Sequence, residues 1–143
     1  MNAHPHQAHP ALVLFALSVG AFAIGTTEFA AMSLLPFFAR DLGIDAPTAG
    51  HAISAYALGV VVGAPLIAIF GARIRRRTLL MGLMGLFAMA NGLSALAPDY
   101  GSLLVFRFLS GLPHGAYFGV AALVAASLVP VNRRAKAVAL VMS

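Results

Sequence analysis

What most restricts this chain is that four long apolar runs, each interrupted by no more than one charge, make up most of its length. A water-soluble domain carries roughly 25% charged residues. Here the figure is 9%, against 61% hydrophobic residues and a mean hydropathy of +0.93. Such a chain lacks the polar coat that water requires, which excludes a soluble enzyme and a disordered chain alike. A bilayer span needs ~20 apolar residues in helical form, so the 143 residues hold four spans and little else. The runs are continuously apolar and do not alternate, and only helices or closed barrels satisfy every backbone polar group inside a bilayer. The expected fold is therefore an all-α membrane protein with four transmembrane helices.

The spans are expected at about 11–38, 48–71, 78–97 and 102–129, with the start of a fifth from about 137. Pro36, followed by Arg40, Asp41 and Gly43, marks the end of the first. Pro47 suits the opening turn of the second. Pro98 and Pro130 close the third and fourth. Residues 1–10 read as a flexible cytoplasmic tail; His4, His6 and His9 lack a carboxylate partner there, so a metal site is the weaker reading. The tail has no Lys or Arg and the apolar run behind it is too long for a signal peptide.

Orientation follows from the basic residues of the short loops. Arg73, Arg75, Arg76 and Arg77 follow the second span, and Arg133, Arg134 and Lys136 follow the fourth. The opposite loops hold only Arg40, beside Asp41, Asp45 and Asp99. Both basic loops, and the N-terminus with them, are thus expected in the cytoplasm. The net charge of +5 does not point to nucleic acid, because the cations form two short clusters with no basic face and no interleaved aromatics. No cysteine, metal-ligand spacing, phosphate loop or nucleophile triad is present, so neither cofactor nor enzymatic chemistry is expected.

Polar residues inside the spans carry the functional signal. Glu28 lies well within the first, where a charged side chain costs roughly 2.5–3.5 kcal/mol at mid-helix on insertion scales. It is tolerated if it faces protein or water, is paired, or is protonated. It reads either as a proton-coupling or cation-binding carboxylate or as a hydrogen-bonding residue of a helix interface. Arg107 in the fourth span has two readings as well: charge partner of Glu28, or an arginine snorkelling to the outer interface. Helical spacing puts His114 and Phe118 along the face of Arg107. His114 is open between proton relay and buried, hydrogen-bonded histidine. Gly111, Gly115 and Gly119, like Gly59 and Gly63 in the second span, have the small-xxx-small spacing that lets helices approach closely. Asn91, the one amide of the third span, reads as interhelical hydrogen-bonding glue or, less readily, as a solute contact.

The segments GTTEFAAMSLLP, YALGVVVGAP and RFLSGLPHGAYFGVAALVAASLVP resemble the major facilitator superfamily, in particular its proton-coupled drug- and sugar-efflux branch of arabinose-efflux-like permeases. The resemblance covers the chain after the tail. It implies a fold of about twelve spans in two six-helix halves, of which this chain matches the first four and the threshold of a fifth. It also implies that the first and fourth helices line a central cavity, so that Glu28 and Arg107 would face it. The family's cytoplasmic latch motif, Gly-x-x-x-Asp-Arg-x-Gly-Arg-Arg, is matched here by AIFGARIRRR. Arg73, Arg76 and Arg77 agree; Ala68 and Arg75 replace the glycines and Ala72 replaces the aspartate.

The expected function is that of the N-terminal portion of a proton-coupled efflux permease for a small organic solute, sugar or drug-like, in the bacterial inner membrane. Its partners would be the bilayer, the solute, protons, and either further C-terminal spans or another copy of the chain. Two alternatives are a self-sufficient four-span proton/drug antiporter acting as a dimer and a non-transporting membrane fragment.

Overall fold

Residues 9–143 are described in the computed structural model, and residues 1–8 of the expected tail, with His4 and His6, lie outside them. Four helices are each long and apolar enough to cross a membrane: α1 Pro10–Asp41, α2 Ala46–Gly71, α3 Arg76–Ala95 and α4 Tyr100–Ser127. A 3-10 turn, Val131–Arg133, leads into a short α5, Arg134–Met142. No strand occurs among the described residues. The molecule is an all-α, multi-pass membrane protein.

The helix ends show which local signals win. His9, placed in the tail by its sequence, caps α1 instead, its ring accepting from the Ala11 N–H at 3.3 Å. Helix α1 then runs through Pro36 to Asp41. Proline removes one amide donor, but its φ suits a helix, and the chain keeps helical geometry on both sides of it. The stop comes at Gly43, whose φ of +64° is the left-handed conformation that a glycine adopts freely. Asp45 caps α2 by accepting from the Thr48 N–H at 2.9 Å. Asp99 caps α4 by accepting from the N–H and hydroxyl of Ser102 at 2.8 and 2.9 Å. Hydrogen bonds from Thr48 and Ser102 hold both carboxyls below the ordinary aspartate value. Helix α3 begins two residues before the expected Thr78, so Arg76 and Arg77 belong to its first turn and not to the loop.

Helices α2 and α4 both start at their capping aspartates and run parallel, forming the most extensive interface. Their glycines interlock. A Cβ on Gly59 would strike the Phe108 carbonyl, on Gly63 the Leu112 backbone, and on Gly111 the Tyr56 carbonyl. On Gly115 it would press on Val60 and Ala64 at 3.1–3.2 Å. Gly119 departs from the expected packing stripe: a Cβ there meets nothing within 4 Å, because the helices diverge around a cavity of about 430 Å³. Between spans, where lipid is as apolar as any side chain, such close backbone packing and buried hydrogen bonds supply the cohesion.

Helix α1 joins this pair through Tyr117, whose hydroxyl donates to the Leu17 carbonyl at 3.0 Å across the space that Gly20 leaves open. Ser18 donates to the Leu140 carbonyl of α5 at 3.2 Å. Leu17, Ile24, Tyr56, Leu83, Phe87 and Tyr117 form part of one buried core. The outer face of α1 shows Phe15, Phe22 and Phe29 exposed, a surface suited to acyl chains or further helices.

Candidate functional site

The spacing of seven between Arg107 and His114 puts both on one face of α4. That face meets α2 where Gly59 and Gly111 bring the backbones together, and Tyr56 of α2 lies between the two side chains. Arg107 is 6% exposed, which rules out an arginine snorkelling to the interface. Its Nη1 donates to the Asn91 Oδ1 of α3 at 3.1 Å, and its guanidinium carbon lies 4.5 Å from the centroid of the Tyr56 ring. The negative face of an aromatic ring attracts a cation most strongly where water is excluded.

The Tyr56 hydroxyl is 2.6 Å from His114 Nδ1. Glu28 Oε2 lies 3.8 Å from the same nitrogen, and its side chain is 37% exposed. The ring of His114 also packs against Phe118 at 5.1 Å between centroids. The result is a polar chain through all four spans: Asn91 on α3, Arg107 on α4, Tyr56 on α2, His114 on α4 and Glu28 on α1.

The expected direct pairing of Glu28 with Arg107 is not what the structure shows. No carboxylate among the described residues lies within 4.0 Å of Arg107. Asn91 and the Tyr56 ring take up the guanidinium, and His114 takes the place beside Glu28. Asn91 bridges α3 and α4 while its own amide donates to the Phe87 carbonyl at 2.8 Å. Beside Arg107 a small cavity of about 140 Å³ is lined by Thr27, Leu34, Ala52, Asn91 and Ser94 among others. Tyr56 is the residue that sequence reasoning passed over. Its signal was its place three residues before Gly59, on the face that the glycine turns toward α4.

The remaining candidates lie elsewhere. Arg73, Arg76 and Arg77 are exposed at the far end of α2 and the start of α3, and none forms an ion pair among the described residues. No cluster of metal-ligating side chains is found among the described residues.

The family model described as Major Facilitator Superfamily matches residues 17–143. The chain is 52% identical over 126 residues to the inner membrane transport protein YdhP of Escherichia coli K12, covering 88% of this chain and 32% of that protein. It is 42% identical over 130 residues to the MFS-type transporter YtbD of Bacillus subtilis, covering 91% of this chain and 33% of YtbD. A chloramphenicol resistance protein of Streptomyces lividans is 37% identical over 132 residues, covering 92% of this chain and 34% of its own length. The chain thus spans about a third of the length of these relatives. No solved structure matches.

Proposed function

The chain belongs to the Major Facilitator Superfamily, a family of transporters rather than enzymes, and on that premise we propose that it is the N-terminal portion of a proton-coupled permease exporting a small organic solute. The observation that carries this reading is the polar chain from Glu28 to Asn91 inside four apolar spans. Ionisable groups are expensive in a bilayer and mark proton or solute pathways when they face a shared interior. Glu28 is the proton carrier, part-exposed and placed where α1 meets α4. His114 stands next in line, and Arg107 supplies the fixed positive charge beyond it. Similarity to a chloramphenicol resistance protein supports a drug-like solute. The basic loops, and the N-terminus with them, lie on the cytoplasmic side of the bacterial inner membrane. In the family's two-fold repeat architecture the remaining spans would close the cavity against α1 and α4.

The test is uptake of a labelled phenicol into inverted proteoliposomes under an imposed proton gradient. It is run with the chain alone and with the chain joined to the remaining spans of a relative. Glu28→Gln keeps the shape of the side chain and removes its titration. The expected outcome is gradient-driven uptake by the joined protein and its loss in Glu28→Gln. Uptake by Glu28→Gln equal to that of the parent would falsify the coupling role. Uptake by the chain alone would favour the self-sufficient dimer instead.

A further inference from the structure

Two side chains on different helices approach the same nitrogen of His114. The Tyr56 hydroxyl, on α2, lies 2.6 Å from Nδ1, and Glu28 Oε2, on α1, lies 3.8 Å from it. Only the first is a hydrogen bond. Tyr56 is buried and makes no other side-chain hydrogen bond, so the arrangement that gives its hydroxyl proton a partner has the O–H donating to an unprotonated Nδ1. The neutral ring then carries its proton on Nε2, which has no protein partner and is not sealed from its surroundings. No other hydrogen bond or ion pair among the described residues reaches the ring. The remaining groups about it are Phe118 at 5.1 Å, Arg107 on the far side of Tyr56, and the uncharged Asn91 of α3 beyond Arg107.

We infer that Tyr56 is a positioning residue that holds His114 Nδ1 closed to Glu28, so that a proton carried by Glu28 passes to His114 only when the Tyr56 hydroxyl lets go. The inference rests on the proton-coupling reading given above and names the residue that gates it. In the transfer the Oε2–H bond of protonated Glu28 breaks and an Nδ1–H bond forms, leaving a carboxylate beside an imidazolium. The ring then releases its Nε2 proton on its open side. It ends as the Nδ1–H tautomer donating to the Glu28 carboxylate. Tyr56 keeps its own proton throughout. Because the two competitors sit on different helices, the state of the ring also decides whether α4 is tied at this level to α2 or to α1.

The test needs neither a solute nor a gradient, so its failure is separate from that of the transport assay. The full chain, labelled with ¹⁵N-histidine, is placed in lipid nanodiscs at a pH where histidine is neutral. Nitrogen shifts report the tautomer, and His114 is assigned by its absence in His114→Asn. The parent should show the Nε2–H tautomer. Tyr56→Phe retains the ring beneath Arg107 and removes only the hydroxyl; it should move the ratio roughly tenfold toward Nδ1–H, the scale of one net hydrogen bond. Adding Glu28→Leu to Tyr56→Phe should cancel that move. An Nδ1–H tautomer in the parent overturns the inference whether or not any variant folds. So does a ratio unchanged in Tyr56→Phe.

Discussion

At the scale of single residues, the unusual member of the set is Arg107. It is a buried cation held by one amide oxygen and one aromatic face, with no carboxylate in contact among the described residues. An apolar replacement removes a desolvated charge, which is often neutral or favourable, but leaves its partner unsatisfied. Arg107→Met strips Asn91 Oδ1 of its donor. The double variant Arg107→Met, Asn91→Leu should therefore be more stable than Arg107→Met alone by about 1–3 kcal/mol, read from unfolding in detergent by circular dichroism. A double variant no more stable than the single would mean that the amide finds another donor. That Arg107 and His114 share a face is legible from their spacing of seven. That Tyr56 faces α4 can be read from its place three residues before Gly59, but that it stands between Arg107 and His114 cannot, because that depends on the register of α2 against α4, a long-range fact that local spacing does not encode.

At the scale of helices, that register is set by glycines, and they are not equivalent. Gly63 meets the Leu112 backbone, which has no rotamer to yield, so Gly63→Ala must force α2 and α4 apart. The expected cost is about 1–3 kcal/mol, with the Tyr56–His114 hydrogen bond weakened as the helices separate. Gly119→Ala enters open space and should change stability by less than about 0.5 kcal/mol. Thermal unfolding of the two variants side by side decides the matter; equal losses would show that α2 and α4 do not pack as described. The sequence pattern marks all five glycines alike, since spacing cannot tell where two helices begin to diverge. The number of spans, by contrast, is written plainly, because the thickness of a bilayer leaves little choice. Pro36 shows the limit of local punctuation: the proline read as part of the stop signal lies inside α1, which runs on to Asp41.

At the scale of the whole molecule, the turn after α1 and the turn after α2 lie at opposite ends of the bundle. The chain has no cysteine, so single replacements are clean probes. Ala46→Cys and Ala72→Cys, both at exposed positions, should react with an impermeant thiol reagent from opposite sides of the membrane, Ala46→Cys from outside. Reaction of both from one side would overturn the four-span topology. All the basic residues except Arg40 and Arg107 gather at one end, while Asp41, Asp45 and Asp99 sit at the other. In the proposed orientation the bundle is a permanent electric dipole laid along the membrane normal. A resting potential, negative inside, acts on each elementary charge with about 2.3 kcal/mol per 100 mV. Turning the bundle over would carry its cations out against that field, so the voltage of the living cell works as a compass needle's restoring torque, and it disappears when the membrane is de-energised.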